Sequence, residues 1–200
     1  MQTPLHLAVV EGHLEAARAL LDLGAAVDIK DNSGQTPLHA LSAKYHGNAE
    51  IIKILVLYKV DIQAVDNAGQ SPLHLAASQP PSIYTGDERP PKVLDALLKL
   101  KPNLEARNKK GQTALHCAAT IGRLQSVDLL LRLGADIEAT DSKGQTPIIS
   151  ATLHNRARIV QLLLQNNAIK DAKDHDNKTA YGYAVGKNQQ EMITLLTGDI

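Results

Sequence analysis

The 200-residue chain contains no tryptophan and no phenylalanine, and its five tyrosines are scattered. Nucleobases and methylated ammonium groups are usually held against aromatic faces, so this shortage speaks against both ligand classes. An excess of either charge is also missing. Twenty-one Lys and Arg offset 21 Asp and Glu, which removes any bulk electrostatic case for DNA, RNA or an anionic membrane. The one cysteine, Cys117, excludes an intramolecular disulfide and suits a reducing compartment. No apolar run is long enough to span a bilayer, and the stretch 51–58 is interrupted by Lys53. The opening MQTPLHLAVVEGH has no basic segment ahead of its short apolar run, unlike an export signal. These features point to an intracellular protein, cytoplasmic or nuclear, with neither a membrane nor a nucleic acid as partner.

What the chain does contain is a repeat. TPLH at 3–6 returns as TPLH at 36–39, SPLH at 71–74 and TALH at 113–116, then decays to TPII at 146–149 and TAYG at 179–182. A leucine-rich segment follows each of the first five at a similar offset: RALLDLGAAVD, KILVLYKVDIQ, DALLKLKPNLE, DLLLRLGADIE and QLLLQNNAIKD. Glycine turns, DNSGQ, DNAGQ, NKKGQ and DSKGQ, precede four of the signatures. The period and the TPLH signature resemble the ankyrin repeat family across essentially the whole chain. The resemblance implies an all-α solenoid of stacked helix-turn-helix units with β-turn or hairpin tips. It would form a single domain over 1–200, with repeats at about 1–34 (incomplete), 35–69, 70–111, 112–144, 145–177 and 178–200 (capping).

The residues support that architecture on their own terms. Thr or Ser before Pro or Ala is an N-cap: its oxygen satisfies an early helix N–H, and proline has no N–H to leave unpaired. Apolar residues then recur at helical spacing in two segments per copy. Gly24 and Gly134 suit a left-handed residue after the second helix, where Lys59 and Lys101 stand in copies two and three. Asn177 replaces the turn glycine in the last junction. One such unit cannot bury its own apolar face, so neighbours must share a core. The expected spine is Leu20–Leu21, Ile54–Leu55, Leu97–Leu98, Leu129–Leu130 and Leu162–Leu163. The last segment, KNQQEMITLLTGD, is more polar than its counterparts and fits a cap.

Catalytic chemistry is hard to assemble from this pattern. His6, His39, His74 and His116 lie one repeat apart, whereas zinc needs ligands about 2 Å from a common centre. The resemblance makes each a structural residue bridging neighbouring turns. Cys117 occupies an apolar helix position and reads as a small buried hydrophobe, and Tyr181 and Tyr183 read as packing residues. Asp28, Gln63, Glu105, Glu138 and Asp171 again recur once per repeat, so they form a ladder rather than a catalytic pair. No metal, cofactor or catalytic residue is expected.

The resemblance implies a protein-binding module, either a scaffold or adaptor or a targeting segment of a larger protein. Its partner would lie on a concave surface of turn tips and exposed first-helix side chains. There Arg107, Lys109, Lys110 and Lys143 form a basic cluster on consecutive tips, with Ile121, Leu153 and His154 on the helices beneath. A peptide with an acidic flank and an apolar anchor fits that combination, bound to a monomeric chain. Residues 1–34 carry 2 basic against 5 acidic side chains and residues 70–111 carry 7 against 4, so the array is polar along its length. A secondary rim comes from two insertions between first and second helices, bringing Tyr45 and His46 near Ile83 and Tyr84. The longer insertion, within SQPPSIYTGDERPPK, is bounded by proline pairs. An enzyme or a small-molecule-binding array, with a site at these insertions or in the concave groove, is the alternative reading.

Overall fold

The computed structural model describes residues 2–44, 47–79 and 92–198, which are helical and turn-forming with no strand among them. The chain divides into two compact units, Met1–Asn103 and Leu104–Ile200. The division falls within the third copy, just beyond its second helix, where the sequence suggests one uninterrupted domain. The first unit contains α1 (Pro4–Val10), α2 (Leu14–Asp22), α3 (Pro37–Ser42), α4 (Glu50–Leu57), α5 (Pro72–Ala77) and α6 (Lys92–Leu98). The second contains α7 (Ala114–Ile121), α8 (Leu124–Arg132), α9 (Pro147–Leu153), α10 (Ala157–Gln165), α11 (Ala180–Gly186) and α12 (Gln190–Thr197). In each unit the first helices of successive copies pack in one row and the second helices in another: α1 on α3, α2 on α4, α7 on α9, α9 on α11, α8 on α10 and α10 on α12.

Each signature starts its helix as the residue types require. Thr3, Thr36, Ser71, Thr113 and Thr146 are extended N-caps, with φ between −89° and −82°, and proline opens four of these five helices. The signature histidine closes a capping box usually made by Glu or Gln. The backbone N–H of Thr3, Thr36, Ser71 and Thr113 donates to Nδ1 of His6, His39, His74 and His116 at 3.4, 3.2, 3.2 and 3.3 Å. Nδ1 is therefore unprotonated and the ring proton sits on Nε2. In His6, His39 and His116 that Nε2–H donates to the carbonyls of Gln35, Gln70 and Gln145 at 2.8, 3.0 and 2.9 Å, each in the next copy. These three histidines bridge neighbouring turns, as the resemblance implies. Burial holds His39 and His116 below the ordinary histidine pKa, against the raising effect of these carbonyls.

The tips have an organiser that the glycine turns concealed. Oδ1 of Asp31, Asp66, Asn108, Asp141 and Asp174 accepts the N–H groups two and four residues on, at 2.8 to 3.0 Å. One carboxylate or amide oxygen thus closes each turn. Gly111 shows why the turn glycine is needed: φ is +72°, and a Cβ there would lie 2.5 Å from the Ser142 backbone nitrogen of the neighbouring tip. Lys59, Lys101 and Asn177 adopt positive φ of 59°, 54° and 63°, the left-handed positions expected from the sequence.

The core register is tighter than the leucine pairs suggest. Leu55, Leu97, Leu130 and Leu163, each four residues before a left-handed residue, are at most 2 % exposed. Leu129 and Leu162 are only half-buried, and so is Leu20, beside a buried Leu21. The pairs drawn from the sequence slid by one residue between copies, because a run of three leucines does not mark which one faces inward. Ala17, Ile52, Leu94, Val127 and Val160 form the second buried row. Around the longer insertion, α5 ends at Ala77 and α6 begins at Lys92, directly after Pro90–Pro91.

Candidate partner-binding surface

The basic and apolar candidates all lie in the second unit. Its three tips are joined by one backbone rung per junction: Ser142 N–H donates to the Lys110 carbonyl and His175 N–H to the Lys143 carbonyl, both at 3.0 Å. Lys110 and Lys143 therefore occupy equivalent places on adjoining tips. Lys109, Lys110 and Lys143 are exposed, with their backbones fixed by the Asn108 and Asp141 turns. Asp176 takes the equivalent place on the third tip, so the column runs basic, basic, acidic.

Arg107 behaves differently. Its Nη1 donates to the Gly111 carbonyl at 3.0 Å and to the Thr140 carbonyl of the next copy. Lys30 does the same job in the first unit, donating to the Val65 carbonyl at 2.9 Å. Arg107 is thus a strut between copies whose guanidinium is partly committed, and the free basic charge of the tips belongs to the three lysines.

The apolar part is smaller than the sequence suggests. Ile121, the last residue of α7, is 37 % exposed, while Leu153 is half-buried. His154 is exposed, but its Nδ1–H folds back onto the Ser150 carbonyl at 2.9 Å. Two further cations frame this end. Arg156 Nε donates to the Thr120 carbonyl at 3.0 Å and Lys187 Nζ to the Leu153 carbonyl at 2.7 Å. Positive groups there complement the carbonyl ends of α7 and α9. Their signal was the basic residue in or beside each inter-helix turn, at Asn155–Arg156 and Gly186–Lys187.

Deeper residues on the first-helix row are inert. Cys117 is buried, and desolvation pushes its thiol up to about 12. Tyr183 donates its hydroxyl to Asp174, which with burial pushes the phenol up to about 12, and Lys178 lies over its ring at 5.5 Å. Tyr183 therefore anchors the last tip. Tyr181 is 43 % exposed, where the equivalent Leu5 and Ile148 are buried, so it does not pack as the sequence suggested.

The acidic ladder is structural as well. Asp28 accepts from the Asp61 N–H, Glu105 from the Asp136 N–H and Glu138 from the Ile169 N–H, at 2.8 to 3.2 Å, each across a junction. Among the described residues no three His, Cys, Asp or Glu side chains come together to hold a metal ion. The secondary rim of Tyr45, His46, Ile83 and Tyr84 lies outside the described residues. No described helix is long and apolar enough to cross a membrane.

The family model for ankyrin repeats in three copies matches in overlapping placements at 5–85, 41–141, 83–174 and 133–200. The chain belongs to the ankyrin-repeat family. The crystal structure of the ankyrin repeat domain of Bcl-3, described as a unique member of the IkappaB protein family, is similar in fold. Its TM-score is 0.83 at 36 % identity, covering 98 % of this chain and 85 % of that one. Human B-cell lymphoma 3 protein is 37 % identical over 124 residues, which is 58 % of this chain and 25 % of that protein. Human Rabankyrin-5 is 32 % identical over 127 residues, 63 % of this chain and 10 % of that protein. This ankyrin-repeat chain thus matches only a quarter or less of the length of these relatives. The family and its relatives mark it as a protein-interaction module.

Proposed function

We propose that this ankyrin-repeat chain is non-catalytic and binds a peptide segment of another protein across the tips and first helices of residues 104–200, the concave side by family resemblance. The segment carries an acidic flank opposite Lys109, Lys110 and Lys143, and an apolar anchor against Ile121 and the exposed part of Leu153, with His154 at the edge. Arg107 contributes charge but is held to its strut. The observation that carries this reading is the pair Lys110 and Lys143, equivalent residues on two tips tied together by a backbone hydrogen bond. A surface fixed in advance loses little entropy on binding, and charge on its rim favours the encounter. On this reading the chain is a scaffold or a targeting segment of a larger protein, working in a reducing compartment, cytoplasmic or nuclear, that suits its lone thiol.

A peptide-display selection on the purified chain tests it, followed by titration of the enriched peptides. Those peptides should pair acidic residues with one large aliphatic or aromatic residue and bind more weakly as salt rises. The Lys110→Glu/Lys143→Glu/Ile121→Asp variant should melt near the parent temperature and lose at least tenfold in affinity. Undiminished binding by that folded variant would move the site elsewhere.

A further inference from the structure

The tips carry a charge order as well as a charge. Ser33, Ala68, Lys110, Lys143 and Asp176 each stand directly before the turn's left-handed Gly or Asn, and all five are exposed. Backbone rungs fix their register within each unit. The N–H of Asn67 donates to the Ser33 carbonyl, that of Ser142 to Lys110 and that of His175 to Lys143, all at 3.0 Å. The turn itself asks for no charge at this place, because Ser33 and Ala68 fill it in the first unit.

In residues 104–200 the column reads Lys110, Lys143, Asp176. Each joins its turn through the backbone, its N–H donating to Asn108, Asp141 or Asp174 at 2.8 to 3.0 Å. None of the three forms an ion pair among the described residues. Lys178, two residues beyond Asp176, instead places its Nζ 5.5 Å over the Tyr183 ring. Three charged side chains of set order are thus left to a partner. The first helices pack directly on one another, α7 on α9 and α9 on α11, so successive tips lie about 8–10 Å apart. A polyproline II chain has three residues per turn and rises about 3.1 Å per residue, so every third side chain faces the same way about 9.3 Å further along. A β-strand turns every third side chain to the opposite face, and a helix would spend about six residues on each tip.

We infer that the partner segment lies along these tips in polyproline II form and presents acidic, acidic and basic residues at every third position, opposite Lys110, Lys143 and Asp176. A residue between them supplies the apolar anchor. Asp176 is the specificity-determining member of the column. It attracts a basic residue and repels a third acidic one, so it sets the register and rejects uniformly acidic segments. The inference rests on the peptide site proposed above and adds the partner's charge order, spacing and backbone form.

Two display libraries with randomised spacers test it, one fixed as Glu-x-x-Glu-x-x-Lys and one as Glu-x-x-Glu-x-x-Glu, each made in both chain directions. Enriched peptides are synthesised with either residue at the third charged position and titrated into the whole chain. The parent should prefer lysine there by about two- to fivefold, the worth of one exposed ion pair. Asp176→Asn should abolish that preference and Asp176→Lys should reverse it. Circular dichroism melts should match the parent, because only the backbone of Asp176 joins the turn. The same charges set at every second position should bind the parent more weakly. Equal affinity for the two peptides, a preference that survives Asp176→Lys, or tighter binding at the shorter spacing would each overturn the inference. Lys110→Glu/Lys143→Glu separates it from the reading beneath: if that variant loses both peptides while Asp176 has no effect, only the charge order fails. Undiminished binding by that variant, or no binding of either peptide to the parent, would remove the peptide site and the inference with it.

Discussion

Replacing His116 by isoleucine removes a bridge whose worth can be worked from its geometry. Nδ1 accepts the Thr113 N–H at 3.3 Å and Nε2–H donates to the Gln145 carbonyl at 2.9 Å. The carbonyl keeps a second donor, the Asp141 N–H at 3.0 Å, so its loss is that of one ordinary bond, about 1 kcal/mol. Thr113 is 1 % exposed, and its N–H would lose its histidine acceptor in a dry setting, which costs about 1–3 kcal/mol. The sum is about 2–4 kcal/mol at neutral pH. The protein contains its own precedent: copy five has Ile149 at this position, and the Thr146 hydroxyl there is buried without a hydrogen-bond partner. The pH dependence separates this account from simple repacking. The folded His116 pKa lies below 6.5, so the unfolded chain binds the extra proton first on acidification. Its contribution to stability is complete above about pH 6.5 and falls as pH drops towards the folded value. The deficit of His116→Ile in urea unfolding should therefore be largest at neutral pH and shrink in mild acid. A deficit under 1 kcal/mol at neutral pH, or one that does not change with pH, would refute the reasoning.

Other substitutions test the core, the helix ends and the thiol. Leu130→Ala should cost about 2–5 kcal/mol in denaturant unfolding, because Leu130 is fully buried between two rows of helices. Lys101→Gly relieves a left-handed residue at φ 54° and should raise stability by about 0.5–1 kcal/mol, read as a higher melting temperature. Cys117 should react with a thiol-alkylating reagent far more slowly in the folded chain than in urea, because burial pushes its pKa up to about 12; equal rates would contradict its placement.

The parts legible in the sequence were those written once per copy. N-cap, proline, signature histidine and left-handed residue each need a particular residue type at a fixed spacing, so Thr36, Pro37, His39 and Lys59 appear where the pattern put them. Residues whose role depends on the neighbouring copy were not legible. Arg107 looked like one of four equivalent surface cations, but the Thr140 carbonyl lies within its reach and turns it into a strut. Asp141 looked like an ordinary turn residue, though its oxygen closes the tip. Ile121 and Leu153 looked equally exposed, yet Leu153 is half-buried. The leucine runs hid their inward-facing member because adjacent leucines are chemically identical, and only packing distinguishes Leu130 from Leu129. Tyr181 escaped for the opposite reason: its type fits the core, while its copy has no following one among the described residues to cover it.

The central claim, that a peptide partner reads the lysine tips and the neighbouring apolar spot of residues 104–200, is tested most directly by backbone amide NMR. A display-selected peptide would be titrated into isotope-labelled chain and its perturbed residues mapped. The account predicts that the largest shifts cluster at Lys109, Lys110, Ser142, Lys143, Ile121 and Leu153, with the second helices α8 and α10 nearly silent. Shifts concentrated on those second helices, or in the first unit, would contradict it.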